Sequence, residues 1–119
     1  MIKNVEKLYS EAMELAEVSK TYLEDNMYTR AAGAPDGGLA DINALSMITY
    51  MLTNITSFLL MSKAYEKGEI PKEQVMESAN SIMNEMMKMQ VYTSENAEIK
   101  QILARLDVLM LRIKEMIVN

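Results

Sequence analysis

This sequence predicts an all-α domain, an antiparallel up-and-down helical bundle of three long helices and one shorter helix. Three observations predict it. Apolar residues recur at steps of three and four through four successive segments, which is the spacing of one helical face. No segment carries a competing period-2 run. Turn residues are scarce, with 4 Gly and 2 Pro, too few for a many-stranded β fold.

The first segment spans about Asn4 to Ala32. Val5, Leu8, Ala12, Leu15, Ser19 and Tyr22 form one face, widened by Tyr9, Ala16, Leu23 and Met27. Glu11, Glu14, Glu17, Lys20 and Glu24 occupy the rest of the circumference, and Asn4 suits the N-cap. The run Ala32 to Gly38 breaks the chain: Pro35 stops the helix, and Asp36 is placed to cap the next one.

The second segment spans about Leu39 to Lys67. Leu45, Ile48, Leu52, Ile55 and Leu59 make one seam. Met47, Met51, Phe58, Met61 and Tyr65 make a second apolar edge. The 21 residues between Asp41 and Lys63 carry no charge, so a membrane span has to be weighed. Eight of them are polar, among them Asn43, Thr49, Thr53, Asn54 and Ser62, too many for hydrocarbon. A helix apolar on two sides is enclosed by neighbours, which include a second subunit in a homodimer. Thr49, Thr53, Thr56 and Ser57 form a strip of hydroxyls expected to bond back to carbonyls one turn earlier.

Gly68 suits the left-handed position after a helix, and Pro71 suits the first residue of the next. The third segment, about Pro71 to Gln90, carries Val75, Ala79, Ile82, Met86 and Met89 on one face. Met83, Met86, Met87 and Met89 cover more of the circumference than one core face needs. Part of that crowd, Met87 and Met89, is a candidate contact surface. The fourth segment runs from about Glu95 to Val118, with Ser94 as the candidate cap. Its stripe is Ile99, Ile102, Leu106, Leu109, Ile113 and Met116.

The 119 residues make one domain, 1–119, with 50% apolar and 24% charged residues, a globular composition. A net charge of −5 argues against nucleic acid as a partner. With no Cys and no His, the chain has no disulfide, zinc thiolate site, catalytic triad or imidazole acid-base pair. The start, Met1 to Glu6, has no apolar signal region, so a cytoplasmic protein is expected.

The sharpest enzyme idea rests on the i, i+3 carboxylates Glu11/Glu14, Glu66/Glu69 and Glu95/Glu98. An all-α Mg²⁺-dependent nucleotide pyrophosphatase needs such a pair on each of two helices, facing inward. Glu14 points away from the core stripe, Glu11 sits at its edge, Glu69 lies beyond Gly68, and Glu95 and Glu98 suit a helix start. The expectation is no catalytic residue, no metal and no cofactor. The candidate dimer or partner surface is Met47, Met51, Phe58, Met61, Tyr65, Met87 and Met89.

Leu8-Tyr9-Ser10-Glu11-Ala12-Met13-Glu14-Leu15, followed by Tyr22-Leu23-Glu24, resembles a signature of the regulator of CtrA degradation family of alphaproteobacteria. Ser57-Phe58-Leu59-Leu60-Met61, Ala64 and Gly68-Glu69-Ile70 are similar to a second, and Ile102 to Ile113 resembles the family's last helix. Phe58 stands where that family usually has Trp, and Met47 and Met51 where arginines are expected. The resemblance implies a small homodimeric helical bundle without enzymatic activity. It implies an adaptor that presents cell-cycle regulators to the ClpXP protease alongside other adaptors. A different helical protein-interaction module is the first alternative, and the pyrophosphatase the second.

Overall fold

The computed structural model describes the backbone over residues 5–33, 39–88 and 96–118, and side chains over 5–25, 41–88 and 96–117. Among the described residues there are four helices: α1 (Val5–Gly33), α2 (Leu39–Glu66), α3 (Lys72–Lys88) and α4 (Ala97–Val118). No strand occurs among the described residues. Asn4, Met27, Asp36, Met89, Ser94 and Glu95 lie outside the described side chains.

The helices form where the apolar spacing puts them, and the faces are the expected ones. On α1, Val5, Leu8, Ala12, Leu15, Ser19 and Tyr22 are all buried. On α2 the seam Leu45, Ile48, Leu52, Ile55 and Leu59 is buried, and on α4 so is every stripe residue from Ile99 to Met116. Each large aliphatic side chain taken fully out of water contributes about 1.5–3 kcal/mol, so these stripes hold the bundle together. At 1.5 Å per residue, the 28 residues of α2 span about 42 Å. The molecule is 51 Å along its longest axis, so α1 and α2 run most of its length.

α2 is the hub. It packs against α1 over the largest seam, against α3 next, and also against α4. Nearly half of its most apolar stretch is inside the protein. By length and composition α2 is long and apolar enough to cross a membrane, a test that the core helix of a bundle also passes.

The turn after α2 is fixed by Gly68. Its φ is +76°, a conformation that costs glycine nothing. Glu69 N–H donates to Ala64 C=O at 2.9 Å and Gly68 N–H to Tyr65 C=O at 3.0 Å, the paired bonds of a Schellman cap. Pro71 stands just before α3 instead of within it, and its carbonyl accepts from Gln74 N–H at 3.2 Å. At the start of α4, Asn96 is the cap: its Oδ1 accepts from Glu98 N–H at 2.9 Å and Ile99 N–H at 3.1 Å.

Candidate functional site

The apolar edge expected to face a partner is largely internal. Met51 is 0% exposed and Phe58 3%, both inside the protein's own core, so neither offers surface. The correction has a simple cause: α1, α3 and α4 all pack on α2, and Met51 and Phe58 are enclosed among them. Met47 and Met61 are half-buried, with Met47 packed against the core. Tyr65 and Met87 are exposed, Met87 at 69%. They make no common patch. Tyr65 is at the turn end of α2, whereas Met87 is 15 residues into α3, about 22 Å along it.

The outer side of α2 is uncharged instead of strongly apolar. Asn43, Ser46, Tyr50, Thr53, Ser57 and Leu60 step along it by three and four, all exposed. Three threonines on this side of the helix and beside it bond back to carbonyls of the preceding turn. Thr49 Oγ1 donates to Leu45 C=O at 3.0 Å, Thr53 to Thr49 C=O at 2.9 Å and Thr56 to Thr53 C=O at 3.0 Å. Buried Ser62 does the same to Phe58 C=O at 3.0 Å.

The carboxylates meet arginines across the α1–α4 seam, which single-helix spacing could not reveal. Arg112 Nη1 donates to both carboxylate oxygens of Glu11, at 2.9 and 2.8 Å. Arg105 Nη2 donates to Glu14 Oε1 at 3.4 Å. A shallow depression of about 350 Å³ beside these pairs is floored by Leu15 and Leu109. No three carboxylates among the described residues converge on a point.

Toward the start of α4 the same seam changes character. A groove of about 580 Å³ has Val18, Tyr22 and Ile102 along its floor and walls. Glu17 and Asp25 come from α1 and Glu98 from α4, so like charges face each other across it. Arg105 also reaches this groove but is engaged with Glu14. Tyr22 Oη accepts from Asn96 Nδ2 at 2.8 Å, which ties the cap of α4 to α1.

A model of proteins of unknown function, DUF1465, matches residues 2–117. The chain belongs to the DUF1465 family. No curated protein and no solved structure matches it. The DUF1465 match covers all four helices, so both the outer face of α2 and the α1–α4 groove lie within the family unit.

Proposed function

We propose that this DUF1465 protein is a soluble, cytoplasmic, homodimeric adaptor without enzymatic activity. It presents cell-cycle regulators to the ClpXP protease, as the resemblance to the regulator of CtrA degradation family implies. Its helices form an antiparallel up-and-down bundle. Lys63–Glu6 at 3.0 Å links the end of α2 to the start of α1, and the pairs Glu11–Arg112, Glu14–Arg105 and Tyr22–Asn96 run in opposite order along α1 and α4.

The observation that carries the non-enzymatic reading is the fate of Glu11 and Glu14. A pyrophosphatase needs a second acidic pair opposite them, and the helix opposite supplies Arg112 and Arg105. The homodimer is supported by the outer face of α2, uncharged between Asp41 and Lys63, with Tyr50 and Leu60 about half exposed. A monomer by light scattering at tens of micromolar ends the dimer reading.

Reconstituted proteolysis tests the function itself. Adding the protein to ClpXP, its other adaptors and a cell-cycle regulator should accelerate degradation of the regulator. An unchanged rate overturns the adaptor role. Mg²⁺ with a nucleotide should leave the melting temperature where it was, since a ligand that binds only the folded state raises it. A clear rise would favour the pyrophosphatase.

A further inference from the structure

We propose that the groove between α1 and α4, at Glu17, Asp25 and Glu98, binds a protein segment that presents Lys or Arg beside apolar side chains. The proposal rests on the reading of this protein as a protein-binding module and names the chemistry of one partner. Its motive is the contrast within a single seam. Where α4 offers Arg105 and Arg112, the carboxylates of α1 are paired. One to two turns earlier, α4 offers Glu98 and Gln101 to Glu17, Thr21 and Asp25. Glu17, Asp25 and Glu98 are exposed, and among the described residues no ion pair engages any of them.

Glu98 suits the first turn of α4, but the fold gains nothing from facing it with Glu17 and Asp25 of α1, because like charges repel. A cationic partner turns that repulsion into attraction. Glu17 and Asp25 are eight residues apart, about 12 Å along α1. That exceeds the screening length of about 8 Å at physiological salt, so each acid acts on a cation seated beside it and the two ends of the groove attract separate basic side chains. Apolar surface completes the recognition: Val18 is exposed, and Tyr22 and Ile102 line the groove beside it. A bare polycation leaves that surface wet, whereas a peptide with an apolar side chain next to its lysines covers it. The groove volume is in the range that holds an anchoring group. A second copy of this acidic face is the wrong partner for it.

The test titrates the full-length, isotope-labelled protein with three synthetic peptides of equal length, read by amide chemical shifts. One alternates Lys and Leu, the second replaces Leu by Ser, and the third replaces Lys by Glu. The Lys/Leu peptide should shift signals around Val18, Thr21 and Gln101. The Lys/Ser peptide should bind at least tenfold more weakly, and the Glu/Leu peptide should not bind. Combining Glu17→Gln, Asp25→Asn and Glu98→Gln should weaken Lys/Leu binding at least tenfold. A circular dichroism melt checks that this variant folds. Glu73→Gln with Glu77→Gln, on exposed positions of α3, should leave binding unchanged. The proposal is overturned by equal binding of the Lys/Ser peptide, by shifts centred elsewhere, by unchanged affinity in the triple variant, or by no binding at millimolar peptide. The two readings separate cleanly. Groove binding with no stimulation of ClpXP removes the adaptor role and keeps the groove. Stimulation with no groove binding does the reverse.

Discussion

α2 and α3 are joined by a short turn and share a seam, yet they bury their side chains differently. α3 buries Ala79, Ile82 and Met86 and leaves most of its circumference to solvent. α2 buries nine of its described residues, from Ala44 to Ser62, on more than one side. Both helices are rich in methionine, but Met51 on α2 is wholly enclosed and Met87 on α3 is mostly bare. The number of neighbours decides this, because α2 contacts all three other helices.

A charge buried on α2 should have the largest effect. Leu52 is 2% exposed between Ile48 and Ile55. Losing its side chain costs about 2–5 kcal/mol, and a buried carboxylate adds more. A domain of this size has about 5–15 kcal/mol in total, so Leu52→Asp should unfold it. Lys63→Ala should cost no more than about 1 kcal/mol, because its pair with Glu6 is solvent-exposed. Circular dichroism melts compare the two. A Leu52→Asp protein melting within a few degrees of wild type would remove α2 from the centre.

A same-residue pair sharpens the contrast. Met51→Ala should cost about 2–5 kcal/mol and Met87→Ala less than about 0.5 kcal/mol. Equal losses in urea melts would mean that the two helices are equally enclosed. Away from α2, Asn96→Ala should cost about 1 kcal/mol, since it removes the cap of α4 and the bond to Tyr22. No change in its thermal melt would show the cap to be idle. The smallest effect should come from Glu11→Gln with Glu14→Gln, at most about 1 kcal/mol, because both carboxylates are at least one-third exposed. A loss of several kcal/mol would mark the α1–α4 pairs as structural anchors.

Burial faces were legible because each stripe needs only its own helix. Val5 to Tyr22 and Ile99 to Met116 follow from steps of three and four. Gly68 was legible for the same reason, since the cap is local. Met51 and Phe58 were misread as an outer edge because a helix pattern shows that a side is apolar without showing which element covers it. The Glu11–Arg112 and Glu14–Arg105 pairs could not be read either. The acids are three residues apart, the arginines seven, and the partners are 101 and 91 residues distant in the chain. Asn96 did carry a signal. It is an N-cap residue type three positions before Ile99, the first residue of the apolar stripe, whereas the sequence reading placed the cap at Ser94.

Those long separations also set an order of assembly. The α2–α3 hairpin closes across the few residues around Gly68, whereas the α1–α4 bonds join positions 74 to 101 residues apart. Each doubling of the intervening chain adds about 0.6 kcal/mol to the closure cost, so a hundred-residue closure costs about 2 kcal/mol more than a ten-residue one. Local contacts form before non-local ones, so α4 should dock onto α1 after the hairpin has formed. The same seam should then be the first to part in the native state, as a subglobal opening. Amide hydrogens from Glu98 to Arg105 should therefore exchange faster than those of Ile48 to Leu59. Equal protection of the two stretches would contradict that order.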